Sequence, residues 1–346
     1  MHAGVRVAAE EGRRSKSRCR GRIDSFARHQ PLHYIGGYRD DGDDFIEMLF
    51  EMWDKQKWTT RVDVKDDVGN TPLHEASKCR NRQVAALLLI RGADPKAANE
   101  DGKTPRHFLC RRNDDDGLAE MLFEFCDEQQ LKIRVDARDK LGNAPLHLAL
   151  ADRHYMVAEL LLRRGVDMNL ANNDGETPLH LIGRKKVDVD FVKLFFEICE
   201  EKRQTLQIDA RDKLGRMPLE WAVANLLPNT FDVLLDNGAD PTGFVFPTKS
   251  QFDASFECKG DEDFNFFPSP LVEKKFRTRW KFKQAANALA VLERLEKRGG
   301  YELDQCDALT IVKFFAEHGY LESRAELENK SPYGTETRGS RRKRKR

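Results

Sequence analysis

Five histidines stand in one short context along this 346-residue sequence, and histidine is the side chain that both binds metals and moves protons near neutral pH. They are His33, His74, His107, His147 and His180, each two residues after a proline. Acidic clusters at Asp40–Asp44 and Asp114–Asp116 invite calcium, but neither has the spacing of an EF-hand loop or its closing glutamate. Turn chemistry accounts for them more simply. The seven cysteines are an odd number with no C-x-x-C pair, which points to free thiols in a reducing compartment and away from disulfides or structural zinc. No phosphate loop, H-E-x-x-H pair, G-x-S-x-G elbow or kinase motif set is present. The expectation is a chain with no catalytic residue, no cofactor and no metal. Two basic stretches remain. The segment from Lys274 to Lys283 interleaves bases with Phe276, Trp280 and Phe282, a pattern that stacks on nucleic acid or forms the basic outer face of an amphipathic helix. Arg341, Arg342, Lys343, Arg344, Lys345 and Arg346 read as a nuclear-import signal or as a solvated tail.

The elements that carry the histidines recur. The motif prolines at 31, 72, 105, 145, 178 and 218 are 41, 33, 40, 33 and 40 residues apart. The stretch from Asp66 to Asn99 is one full unit. Thr71 can cap a helix that Pro72 opens, where a missing N–H costs nothing. Leu73, Ala76, Val84, Ala85, Leu87, Leu88 and Leu89 give two short antiparallel helices an apolar face. Gly92 supplies a left-handed stop and Gly69 a tight turn into the next helix. The turn signal keeps the same beat at Asp66/Gly69, Asn99/Gly102, Asp139/Gly142, Asn172/Gly175 and Asp212/Gly215.

This pattern resembles the ankyrin repeat, with its T-P-L-H-x-A signature and 33-residue length. The resemblance covers roughly residues 30 to 242 and implies an all-α solenoid of about six helix-turn-helix units. It also implies that each motif histidine bonds backbone groups of the neighbouring turn. One histidine per repeat, at a helix spacing of about 8–10 Å, cannot share a metal whose ligands must lie within about 4 Å of one another.

Family resemblance places a protein partner on the concave face. The turn tips there are Asp67, Val68 and Asn70; Glu100, Asp101 and Lys103; Lys140, Leu141 and Asn143; Asn173, Asp174 and Glu176; Lys213, Leu214 and Arg216. The first helices contribute Lys78, Arg111, Arg112, Asp152, Arg184, Lys185 and Asn225. Tips alternate between Lys-Leu-Gly and acidic character, so a partner of alternating charge is expected.

The units depart from the family pattern in length. Those starting at Pro31, Pro105 and Pro178 are longer and replace the Gly-Ala-Asp stop by a second text, which ends in Val62-Asp63, Val135-Asp136 or Ile208-Asp209. Seven extra residues are close to two helical turns, so a lengthened second helix is expected. The superrepeat of about 73 residues is either a ridge selected for function or the trace of a duplicated pair. In the last unit Glu220 stands where histidine is expected.

Charged residues make up 34% of the chain and net charge is only +1, with a mean hydropathy of −0.67, as suits a thin array with much surface. The organisation read from the sequence is a basic disordered arm over 1–29, the solenoid over 30–245, a linker over 246–270 with Phe264, Phe266 and Phe267 tucking back, a helical module over 271–330, and a basic tail over 331–346. The module shows apolar positions at 272, 276, 285, 289, 292 and 295, a Gly299-Gly300 stop, and Asp304 capping a second helix. No stretch reads as a signal peptide or membrane span. The expected function is a non-enzymatic scaffold for a protein partner, nuclear or cytoplasmic with the nucleus favoured, and not secreted. Alternatives are an adaptor presenting its ligand to ubiquitin-ligase components and, less well supported, a nuclear nucleic-acid binder.

Overall fold

The residue before Pro72, Pro105, Pro145, Pro178 and Pro218 adopts extended backbone and the proline opens the helix, because its fixed φ suits that position and its missing N–H would be unbonded there anyway. The computed structural model describes residue 33 and residues 62–110, 117–130, 135–185, 190–256 and 270–317. Those residues contain helices and no strand, in two compact units divided between Asn173 and Asp174. The arm over 1–29, the aromatics Phe264, Phe266 and Phe267, and the run 341–346 lie outside them.

Among its described residues the first unit holds three helix pairs from Pro72 on: α1 (Pro72–Cys79) and α2 (Arg82–Ile90), α3 (Pro105–Leu109) and α4 (Leu118–Glu128), α5 (Pro145–Ala151) and α6 (Tyr155–Arg163). First helices pack on first helices, α1 on α3 and α3 on α5, and α2 packs on α4. The shared interior contains Leu73, Leu88, Leu89, Leu118, Leu122, Leu146 and Leu150, all buried. Each such side chain contributes about 1.5–3 kcal/mol when fully buried, so a pair that cannot shelter its own face is stabilised by its neighbours.

The second unit continues with α7 (Pro178–Gly183) and α8 (Phe191–Lys202), then α9 (Pro218–Ala224) and α10 (Pro228–Asp236). Here Phe195 and Phe231 are the large buried side chains. Gly183 is required by packing: a Cβ there would meet the carbonyl oxygen of Pro218 at 2.8 Å, because α7 lies directly against α9.

The long units differ from expectation. Their second helices, α4 and α8, run 11 and 12 residues against 9 for α2, α6 and α10, a gain of two or three and not seven. Their first helices are shortened to 5 and 6 residues. The remaining length falls outside the helices, partly in segments 111–116, 131–134 and 186–189 beyond the described residues.

After the last pair come α11 (Lys249–Phe256), α12 (Pro270–Lys297) and α13 (Gln305–Glu317). Helix α12 packs on α10, and α11 packs on both α9 and α13. The buried face of α12 is Gln284, Ala288, Val291 and Leu295, whereas Leu289 is exposed. That is a rotation from the apolar stripe read off the sequence. Small Ala288 permits close approach, and the same orientation brings Arg294 Nε to 2.6 Å from Asp232 Oδ2 and Arg298 onto Asp232 and Asp236. Asp304 accepts the Asp307 N–H at 2.7 Å at the start of α13. The aromatics that close this end are Phe244 and Phe246 around Tyr301, with ring centroids 5.2 and 6.0 Å away, and Phe252 against Phe314 at 5.6 Å.

Candidate protein-interaction face

Four of the turns are built by one side-chain oxygen. Asp66 Oδ1 accepts the N–H groups of Val68 and Asn70 at 3.0 and 2.7 Å. Asn99, Asp139 and Asp212 do the same two and four residues on. Such a loop holds its tip away from the helices without any partner strand. Consecutive tips then bond to one another: Glu100 N to Val68 O at 3.1 Å, Lys140 N to Asp101 O at 2.7 Å, Asn173 N to Leu141 O at 3.0 Å and, in the second unit, Lys213 N to Asp174 O at 2.8 Å. Gly142 shows why the turn needs glycine. Its φ is +76°, and a Cβ would sit 2.7 Å from Asn173 N.

The histidines brace the turns from beneath. The Thr71 N–H donates to His74 Nδ1 at 2.9 Å, so Nδ1 carries no proton, and Nε2–H donates to the Lys103 carbonyl at 3.0 Å. His107 and His180 repeat this with Asn143 O at 3.3 Å and Arg216 O at 3.0 Å. His147 accepts from Ala144 N, and His33 Nε2 lies 2.8 Å from Asn70 O. Burial pushes His74 down to about 4 and lowers His107 and His180 as well, so all three are neutral at physiological pH. Glu220 keeps the histidine's position at the end of the array. With no further repeat carbonyl to meet, its carboxylate accepts the Val245 N–H at 3.2 Å, and burial raises its pKa.

Twelve of the residues placed on the binding face by sequence are exposed: Asp67, Val68, Glu100, Asp101, Lys140, Leu141, Asp152, Asn173, Asp174, Arg184, Lys213 and Leu214. Lys78, Lys103, Asn143 and Arg216 are half-buried. Four are buried and cannot offer a surface: Asn70, Glu176, Lys185 and Asn225. The reason is that they build the turns and helix ends. Asn70 binds Asp66, Glu75 and Asn99, Glu176 pairs with Arg184, and Asn225 Nδ2 donates to Trp221 O at 2.8 Å. Lys185 is covered at the end of α7, its N–H bound to Ile182 O at 3.3 Å. Arg111 and Arg112 lie outside the described residues.

The structure also assembles a group not read from the sequence. Arg184 and Arg216 lie over the Trp221 ring at 5.0 and 3.8 Å, and the indole N–H donates to Asp212 at 3.1 Å. Burial opposes the charge on Asp212. Bonds from Arg216 N, Trp221 Nε1 and the Arg216 guanidinium outweigh it and hold the carboxyl below its usual range. The tryptophan beside degenerate Glu220 was the available signal. Among the described residues no cluster of His, Cys, Asp and Glu could hold a metal ion, and no helix is long and apolar enough to cross a membrane.

Comparison with known proteins agrees with this geometry. The model for ankyrin repeats in three copies matches residues 87–172 and 156–244, and the single ankyrin-repeat model matches 68–100. The chain is 25% identical over 221 residues to the nuclear factor NF-kappa-B p105 subunit of Gallus gallus, covering 64% of this chain and 21% of that protein. It is 33% identical over 121 residues to neurogenic locus notch homolog protein 1 of Mus musculus, covering 35% of this chain and 4% of that protein. With the inhibitor of apoptosis OPG037 of Monkeypox virus the identity is 27% over 237 residues, or 60% of this chain and 51% of the other. In fold, the chain is similar to the crystallised ankyrin repeat domain of Bcl-3, with a TM-score of 0.51 and 23% identity over 62% of this chain and 88% of that one. The chain thus spans about a fifth of the p105 relative and half of the viral one.

Proposed function

The chain belongs to the ankyrin-repeat family, and on that premise we propose that it is a non-enzymatic scaffold that holds a partner protein along its turn tips and first helices. One observation carries this reading. Main-chain groups at the tips are used in the turns and in tip-to-tip bonds, while the side chains of Asp101, Lys140, Leu141, Asp174 and Leu214 remain exposed on that braced backbone. A surface whose side chains are held in fixed positions loses less entropy on binding. The basic run 341–346 would direct the scaffold to the nucleus.

Photo-crosslinking in cells tests the face. A crosslinkable amino acid at Lys140 or Asp152 of the full chain should trap a common protein, and the same group at Ile90 or Met156, exposed on second helices, should not. Recovery of the same species from both sets of positions would show that the tips and first helices are not the binding face.

A further inference from the structure

Three of the exposed large apolar side chains sit at turn tips, and they recur at one interval. Val68, Leu141 and Leu214 are 73 residues apart and are 54%, 66% and 74% exposed. The tips between them are acidic: Glu100 and Asp101 between the first two, Asp174 before the third. Charge also has a direction, since Asp67 precedes Val68 whereas Lys140 precedes Leu141 and Lys213 precedes Leu214. Within the first unit the tips of Val68, Asp101 and Leu141 are joined in sequence by the bonds Glu100 N to Val68 O and Lys140 N to Asp101 O.

We propose that the tips of the first unit bind one face of an amphipathic helix of a partner protein, which presents two apolar side chains two heptads apart and a basic side chain midway between them. This rests on the reading that the tips are a binding face, and it names what they bind.

The geometry selects the helix over other peptide forms. Repeat units stack at the spacing of packed helices, about 8–10 Å, which puts Val68 and Leu141 two steps, or about 16–20 Å, apart with the acidic tip halfway. A helix returns to the same face after seven residues, or about 10.5 Å, and places positions i, i+7 and i+14 in line at that step. An extended strand spans about 20 Å in six residues, but its midpoint residue points to the opposite face. It cannot set an apolar, a basic and an apolar side chain in one row at even steps. A polyproline segment docks on aromatic-lined grooves, and no tip in this unit carries an aromatic residue. The tips also offer no unpaired edge for strand addition, because the Val68, Glu100, Lys140 and Leu141 N–H groups are already bonded. A helix satisfies its own main chain and needs only side-chain recognition.

The test is selection of a phage-displayed library of 21-residue helices on the full chain, with Val68→Ser/Leu141→Ser and Glu100→Lys/Asp101→Lys as counter-targets. All four positions are exposed, so thermal melts of the variants should match the parent. Enriched helices should carry apolar residues at i and i+14 and Lys or Arg at i+7, and should bind the serine variant at least tenfold more weakly. Selection on the lysine variant should exchange the i+7 base for Asp or Glu. Enrichment without this spacing, no enrichment above the serine variant, or an unchanged i+7 preference on the lysine variant would each overturn the proposal. Crosslinks confined to the tips alongside such a result would leave the scaffold reading standing and remove only the helical ligand.

Discussion

The histidine at the third position of α1, α3 and α7 serves two backbones at once. It accepts the N-cap N–H through Nδ1 and donates through Nε2–H to the next turn, which the protonated ring cannot do because both nitrogens would then be donors. Acid should therefore weaken the array. His74 falls from an ordinary value near 6.5 to about 4 on folding, so the unfolded chain binds its proton first. The stabilisation is complete above about pH 6.5 and is lost as pH falls toward 4, amounting to about 3 kcal/mol for this residue alone. His107 and His180 add to it in the same direction. Urea melts between pH 7.5 and 4.5 should show the midpoint falling, and His74→Gln should flatten that dependence. Arg106 is the opposite case, a cation in the place of the motif leucine. It is 3% exposed, lies 4.9 Å over the Phe123 ring, and among the described residues reaches only Cys126 Sγ, at 3.9 Å, with Nε left without a partner there. Arg106→Leu should raise stability by about 1–3 kcal/mol, since a poorly compensated buried charge is replaced by an apolar side chain. Equilibrium denaturation measures it directly.

Among the elements, the two kinds of unit turn out to be complementary. The Asp that ends each long unit accepts the N–H of the Asp that ends the next short one: Asp63 from Asp94 at 3.0 Å, Asp136 from Asp167 at 3.3 Å and, in the second unit, Asp209 from Asp240 at 3.1 Å. Burial raises the pKa of Asp63 and Asp136, and the bonds from Asp94 N and Asp167 N only partly oppose it. This contact gives the Asp that closes each long unit a main-chain partner in the following short unit. At the far end, α12 depends on one apolar seam and an arginine pair. Leu295 is fully buried against the last repeat pair, so Leu295→Ala should cost about 2–5 kcal/mol. Limited proteolysis should then cut between α11 and α13 at lower protease concentration, while near-native helicity over α7 to α10 persists.

At the scale of the whole molecule, the 73-residue superperiod appears in the Asp–Asp contacts and again in the tips, which carry apolar side chains only in alternate units. A duplicated pair explains the first. The second is where selection for a partner would act. Localisation is a separate property of the whole chain. A fluorescent fusion in which 341–346 are changed to glutamine should lose nuclear accumulation relative to the parent, and an unchanged distribution by microscopy would remove the import role. These measurements do not depend on the tip chemistry.

Repeat class, unit boundaries and the turn beat were legible in the residues because each is local. Thr-Pro, a glycine of positive φ and a leucine stripe act within a few positions, and their recurrence makes the pattern unmistakable. Burial of Asn70, Glu176, Lys185 and Asn225 was not legible, since a polar side chain counts as surface until its partners two turns or one repeat away are known. For the same reason the stripe chosen on α12 fell to Ala288 and Val291, with Leu289 left in solvent: the face that packs is set by α10 and its Asp232 and Asp236, not by α12 alone. The Trp221 stack likewise required Arg184 and Arg216 to be carried in from two units. Local spacing determined the elements, and only their packing decided which side chains were left for a partner.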